Sequence, residues 1–204
     1  MKNLFIFDFD GVIADSLILY EELVKTHLER IGSPVITTRK EFLDLFDGNF
    51  YESLRARGVD MMAFNNAVMA AAPEIDYGRI LPFDGVLPVM NTLTKDNTLL
   101  VISSNISSVI RTFLSRYEFD GIFDDVLGAD FMLSKTKKIH HAVEKCQARS
   151  DQTYYVGDTV GDIREGQAAG ILTVAATWGW HPRKRFEGVG ADYIIDSAEE
   201  LLSI

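Results

Sequence analysis

The stretch Asn3-Leu-Phe-Ile-Phe-Asp-Phe-Asp-Gly-Val-Ile-Ala-Asp-Ser16 decides how the rest of the chain is read. Leu4 to Phe7 form an apolar run without helical gaps, the signature of a fully buried strand. Asp8 and Asp10 follow at once, with Phe9 between them and Gly11 turning the chain. Residues two apart on an extended backbone point to the same side. Both carboxylates therefore aim at the space beyond the strand's carboxyl end, where open α/β sheets hold their ligands. Like charges that close repel each other, unless a cation sits between them or one of them carries a proton. The pair predicts a hard metal ion, an acid/base role, or both; an acidic Asp-Gly turn is the plainer alternative.

Outward from this segment, the sequence changes character twice. From Ser16 to Arg30, Leu19, Leu23 and Leu28 alternate with charges as on an amphipathic helix, which Gly32-Ser-Pro34 ends. Thr38 and Glu41 have the spacing of a capping box. Helical text continues to about Pro73, and no strand-like run occurs between Leu17 and Gly78. This stretch is expected to form an all-helical insertion of about three to five helices.

From Leu81 onward, strands and helices alternate. Strands are expected at Thr98–Ile102, Asp125–Leu127, Thr153–Val156, Leu172–Ala175 and Tyr193–Ile195. The expected helices run from about Val86 to Leu93, Ser107 to Tyr117, Thr136 to Ala148, Gly161 to Ala169 and Ala198 to Leu202. Such alternation builds a parallel sheet covered by helices on both faces. Right-handed crossovers bring every strand's carboxyl end to one edge. The apolar runs before Asp8, Ser103 and Asp158 all end there.

Four segments, in order, resemble the motifs of the haloacid dehalogenase (HAD) superfamily, in its phosphoglycolate phosphatase-like branch. They are Phe7-Asp-Phe-Asp-Gly-Val12, Leu100-Val-Ile-Ser-Ser-Asn105, Ser134-Lys-Thr-Lys-Lys-Ile139 and Tyr155-Val-Gly-Asp-Thr-Val-Gly-Asp162. The likeness implies an α/β, Rossmann-like core, a parallel sheet flanked by helices, at residues 1–15 and 80–204. A helical cap would occupy residues 16–79. It also implies a Mg²⁺-dependent phosphatase acting on a small phosphate monoester, phosphoglycolate-like, through an aspartyl-phosphate.

In that reading Asp8 is the nucleophile and Asp10 the general acid and base. Mg²⁺ is held by Asp8, Asp10 (through its backbone carbonyl), Asp158 and Asp162, with Asp162 supporting from the next turn. Gly11, Ser103 and Ser104 receive the phosphate, and Lys135 neutralises charge, although Lys137 and Lys138 stand close enough to take its place. Thr136 stands where the family often has proline, and Val12 where many members have threonine. Asp10 disfavours a dehalogenase, which needs no acid at that position. A phosphomutase usually has histidine where this chain has Tyr20, and a phosphonatase would need a cap lysine, for which Lys25 is the early candidate. Pyrophosphatase activity would use the same core. A catalytically silent binding protein is the alternative of another class.

The composition narrows the partners. Lys and Arg total 20 against 30 Asp and Glu, a net charge of −10. That balance disfavours nucleic acid, whose binding relies on basic surface. No apolar run approaches the roughly 18 residues of a membrane span. The single cysteine, Cys146, and a strand beginning almost at Met1 fit a reducing, cytoplasmic protein, monomer or homodimer, acting on a small phosphorylated metabolite. Asn49, Arg55 and Arg57 are candidate cap contacts. His27, His140, His141 and His181 share no ligand spacing and are expected at the surface. Trp178 and Trp180 could rim the site, fill the core or form an interface.

Overall fold

The computed structural model describes residues 2–71 and 77–204. Its centre is a six-stranded, wholly parallel sheet in the order β5-β4-β1-β6-β7-β8. The strands are β1 (Leu4–Phe7), β4 (Thr98–Ile102), β5 (Asp125–Leu127), β6 (Thr153–Gly157), β7 (Leu172–Ala176) and β8 (Tyr193–Ile195). β1 pairs with β4 on one side and β6 on the other, so the chain reverses its winding direction at β1. Ligands of open α/β sheets bind at such a switch point.

The side chains of β1 alternate between two cores. Phe5 and Phe7 pack with Val86, Val89 and Met90 of α5 (Val86–Leu93) and with Ile110 and Phe113 of α6 (Ser107–Arg116). Leu4 and Ile6 pack on the other face, against Ile139 and Ala142 of α7 (Lys135–Cys146). All four are essentially sealed from solvent, each contributing about 1.5–3 kcal/mol of burial. This alternation carries beyond the strand, because the Asp8 amide still donates to the Val156 carbonyl at 2.9 Å. Asp8 thus continues the face covered by α7, and the first residue of α7 is Lys135. α8 (Val160–Ala169) follows β6 and packs beside α7.

The insertion contains α1 (Leu17–Arg30), α2 (Arg39–Leu43), α3 (Phe50–Ala56) and α4 (Met61–Ala71). Thr38 and Glu41 form the complete capping box at the start of α2. The helices have their own core of Val24, Leu28, Phe42, Leu45, Phe50, Leu54 and Phe64, closed by Trp180 from the loop after β7. The expected helical text toward Pro73 ends outside the described residues. A short antiparallel ribbon, unanticipated from the sequence, ties the two passages between the layers together: β2 (Ala14–Asp15) pairs with β3 (Leu81–Pro82). The closing segment is a 3₁₀ helix, Ala198–Ser203, rather than an α-helix. Among the described residues no helix is long and apolar enough to cross a membrane.

Two of the four histidines depart from the expected surface positions. His181 is wholly buried, with Nδ1 accepting from the Val160 amide at 3.1 Å and Nε2 lying 3.0 Å from the Leu43 carbonyl. His27 is buried beside Phe64. Both lie under surfaces created by packing the insertion on the sheet layer or on itself, which local spacing does not encode. His140 is exposed and His141 half-buried.

Candidate active site

The carboxyl ends of β1, β4 and β6 converge on one acidic pocket. Asp8, Asp158 and Asp162 are all buried, and one carboxylate oxygen from each lies within 4.8 Å of the others. The Lys135 ammonium bridges this group, 2.7 Å from Asp8 Oδ2 and 2.6 Å from Asp162 Oδ1. The cluster therefore carries three carboxylates against one ammonium.

Each member is fixed locally. Asp8 Oδ1 accepts from the Phe9 amide at 2.8 Å. Asp158 Oδ2 accepts from the Trp180 amide at 2.7 Å, while its Oδ1 is buried without a hydrogen-bond partner. Asp162 is the third residue of α8 and completes a capping box with Thr159. Its Oδ2 accepts from the Thr159 amide and hydroxyl, and its Oδ1 from Lys135 and the Tyr155 hydroxyl. Asp162 thus caps the start of α8 and anchors the lysine, with both oxygens engaged.

The electrostatics follow from burial. Burial pushes the Asp8 carboxyl up to about 7, against the opposing pull of Lys135, with Asp162 and Asp10 adding to the rise. Burial and the neighbouring Asp162 and Asp8 hold Asp158 well above the usual carboxylate range. Burial would also raise Asp162, but Lys135, Thr159 and Tyr155 outweigh it and hold it low. Burial alone would lower Lys135, yet Asp162 and Asp8 hold it well above its ordinary value. Such a group is stabilised by an added cation. The unpartnered Asp158 oxygen beside an all-oxygen donor set fits a hard divalent ion, which is typically held by one or two carboxylates with waters and substrate oxygens.

Asp10 stands apart from that cluster. Its Oδ2 accepts from the Asn105 side chain at 3.3 Å, and its Oδ1 is buried without a partner. Burial raises its pKa, with Ser16 and Asn105 opposing. Asp10 and Asp8 therefore differ in surroundings: Asp8 faces a lysine and two acids, Asp10 an amide. Gly11 adopts φ +83°, and a Cβ there would lie 1.9 Å from Asp158 Oδ2. Only glycine lets the turn pass that close to the carboxylate. The Gly11 amide donates to the Ala14 carbonyl at 2.9 Å, so this residue serves the site through clearance rather than as a free donor.

At the end of β4, Ser103 is buried and its Oγ accepts from the Asn105 amide at 3.0 Å, leaving the hydroxyl proton to donate into the pocket. Ser104 lines the same pocket, and its carbonyl accepts from Tyr51 of α3 at 3.2 Å. Of the three neighbouring lysines, Lys135 reaches the carboxylates. Lys137 is exposed, and Lys138 is buried with its ammonium on the Ser103 and Gly128 carbonyls at 2.5 and 3.2 Å. Burial, reinforced by Lys135, lowers Lys138 to about 8.

The insertion roofs this pocket. Asn49 caps α3 and donates to Glu165 of α8 at 3.2 Å. Arg185 pairs with Asp44 and Asp47, and Arg164 donates to the Asp47 carbonyl. A Cβ on Gly161 would lie 2.5 Å from the Gly48 carbonyl, so the two layers meet there backbone to backbone. Arg55 and Arg57 are both exposed; Arg57 folds back on the Ser53 carbonyl, and neither lines the acidic pocket. Trp180 lines the pocket from within the cap core. Trp178 donates to the Val12 carbonyl at 3.1 Å, bracing the loop after β1. Sequence reasoning overlooked Asn105, Tyr51 and Thr159. Asn105 carried a local signal two residues beyond Ser103 at the same strand end, and Thr159 one in its capping-box spacing to Asp162, whereas Tyr51 carried none.

The sequence profile of haloacid dehalogenase-like hydrolases matches residues 5–176. A phosphoglycolate phosphatase from Synechococcus elongatus is 26% identical over 202 residues, covering 97% of this chain and 94% of that protein. The tyrosine-protein kinase PtkA of Mycobacterium tuberculosis is 28% identical over 188 residues, 87% of this chain but 63% of the kinase. In fold, a haloacid dehalogenase-like hydrolase from Bacteroides fragilis superposes with a TM-score of 0.85 at 22% identity, over 98% of this chain and 100% of that one.

Proposed function

Because the chain belongs to the haloacid dehalogenase-like hydrolases, we propose that it is a Mg²⁺-dependent phosphatase cleaving a small phosphate monoester through an aspartyl-phosphate on Asp8. The observation that carries this reading is the buried cluster of Asp8, Asp158 and Asp162 bridged by Lys135 at the sheet's switch point. Residues 1–15 and 80–204 form the catalytic body, and residues 16–79 form the cap over it.

Asp8 and Asp158, with the Asp10 carbonyl, would hold Mg²⁺, and Asp162 would support them. When bound, the ion would offset negative charge on the phosphoryl oxygens and on the carboxylate that attacks the phosphorus. An Asp8 oxygen forms a bond to phosphorus, and the bond from phosphorus to the substrate oxygen breaks with its electron pair on that oxygen. Asp10 gives its proton to the departing oxygen, which releases an alcohol. Asp10, now ionised, takes a proton from water as that water attacks phosphorus. The Asp8–phosphorus bond then breaks, freeing inorganic phosphate and Asp8. A raised pKa suits Asp10 to both transfers, because acid/base catalysis is most effective near the working pH. Lys135 and the Ser103 hydroxyl neutralise and orient the phosphoryl group.

The cap excludes water while the phosphoryl-enzyme exists. Tyr20 offers no basic ring to the pocket it lines, which argues against a mutase. Lys25, the early candidate for a phosphonatase, is committed to Glu21 at 2.7 Å. The test is phosphate release from a panel of esters, including 2-phosphoglycolate and pyrophosphate, with Mg²⁺ and with EDTA. Metal-dependent release that Asp8→Asn abolishes supports the reading; metal-indifferent release, or full activity in Asp8→Asn, overturns it.

A further inference from the structure

The acidic pocket is small, about 30 Å³, room for two or three water-sized groups at roughly 10–15 Å³ each. It does not stand alone. Asp10, Tyr20, Phe50 and Ser104 also line a second cavity, of about 350 Å³, extending beneath α1 and α4. Its volume is that of a small-molecule site, roughly 300–1,000 Å³. The pair of cavities meets at Asp10, the residue that protonates the leaving oxygen, so the larger one lies where the alcohol departs.

The walls of the larger cavity define what that alcohol is. Leu19, Leu23 and Val24 of α1 face Phe64, Val68 and Met69 of α4 across it. No lysine or arginine lines it among the described residues, and residues 72–76 carry neither type. Among the described residues its carboxylates are those of Asp10 and Asp130. Asp130 accepts from the Ser107 amide and hydroxyl, each at 2.8 Å, and so keeps its charge. Of the lysines and arginines on α1 and the segments flanking it, Lys25 and Arg39 pair with Glu21 and Arg79 with Glu22, while Arg30 is exposed and does not line the cavity. His27, Asn65 and Asn105 add polar atoms to these mainly apolar walls, but burial, with Arg30 adding to it, favours the neutral ring of His27. A second anionic group on the substrate would therefore lose its water here and meet two acids and no lysine or arginine among the described residues. Burying an unpaired charge in such surroundings is strongly disfavoured.

We propose that this cavity binds the alcohol portion of the substrate, and that this portion is uncharged and largely apolar, as in a medium-chain alkyl or an aryl phosphate. The proposal rests on the phosphatase reading above and names the substrate class for the same site. The step is the hydrolysis already written: the ester yields inorganic phosphate and a neutral alcohol, which stays in the cavity until release.

The n-alkyl phosphates test this directly, because from ethyl to octyl they share one leaving-group chemistry and differ only in apolar length. With Mg²⁺ present, kcat/KM should rise about threefold to fourfold per methylene until the cavity fills, the value expected for burying CH₂. Hexyl phosphate should exceed 2-phosphoglycolate, pyrophosphate and glucose 6-phosphate at least tenfold. Val68→Trp, which fills the cavity from a half-buried position on α4, should flatten the series. A flat or falling series, or a tenfold preference for any of the three polar substrates, overturns the proposal while leaving the phosphatase reading intact. Should no ester be hydrolysed, the phosphatase reading fails. Calorimetry with methylphosphonate and hexylphosphonate then still reads the cavity, and equal affinities would overturn this proposal as well.

Discussion

Two spaces meet at Asp10, and they were built by opposite rules. The pocket at the sheet edge gathers buried acids around one lysine, each carboxylate fixed by a backbone amide, a cap or an ion pair. The cavity under α1 and α4 is lined mainly by aliphatic and aromatic side chains, with His27, Asn65 and Asn105 among them, and among the described residues no lysine or arginine lines it. The first holds three carboxylates against one ammonium, which suits the cation and phosphoryl group proposed for it. The second, with its mainly apolar walls, suits the apolar group proposed for it. In the proposed reading, chemistry and selectivity belong to separate layers of the fold, joined by a ribbon of two residues on each strand, Ala14–Asp15 with Leu81–Pro82.

The largest effect should come from the acidic side. Asp8→Asn should lower steady-state phosphate release by about 10³-fold or more while thermal unfolding stays cooperative, as expected when the attacking group is lost. Activity within tenfold of the parent would remove Asp8 as the nucleophile.

Lys135→Met should come next. Removing one partner of a buried ion pair costs about 3–5 kcal/mol, and here it leaves Asp8 and Asp162 without their shared cation. Denaturant unfolding should show that loss in EDTA and a partial recovery with Mg²⁺. Equal losses in both buffers would mean that the carboxylates do not share a cation site.

A smaller change should appear at the boundary between the two spaces. Asn105 donates to the Asp10 carboxylate and so favours its charged form. Asn105→Ala should raise the pKa of Asp10, moving the pH–rate limb that reports it upward by about half a unit to one unit. An unmoved or lowered limb would break the link between that limb and Asp10.

The apolar side should give the smallest effect. Burial, with Arg30 adding to it, holds His27 below its ordinary 6.5. The folded state then binds fewer protons than the unfolded one, so this contribution is intact above the unfolded pKa. It is lost progressively as pH falls below about 6.5 and levels off below the depressed folded value. His27→Phe keeps the ring against Phe64 and should flatten the stability profile between about pH 7 and about pH 5. Parallel profiles for the two proteins would show that His27 is not held neutral.

The sequence was most readable where structure is local. β1 is a continuous apolar run ended by acids, and the capping box of Thr38 and Glu41 lies within four residues, so both could be read directly. The convergence of β1, β4 and β6 followed from right-handed winding alone. What stayed hidden depends on packing between layers. His27 looks like a surface histidine until α4 packs on α1, and His181 until the insertion packs on the sheet layer. Lys138 has the same local signature as Lys135 and Lys137, and only the geometry of α7 sends it to the Ser103 carbonyl. The β2–β3 ribbon is too short to leave a periodic pattern. The large cavity draws its walls from α1, α4 and the turns at Ser104–Ile106 and Leu133, and no single segment announces it.

The most direct test is acid-quench mass spectrometry of the Asp10→Asn protein during turnover of p-nitrophenyl phosphate with Mg²⁺, whose good leaving group needs little help from an acid. The account predicts that the peptide containing Asp8 gains the mass of one phosphoryl group, on Asp8 itself, and that Asp8→Asn abolishes the adduct. Turnover with no phosphorylated peptide, or with the phosphoryl group on another residue, would contradict it.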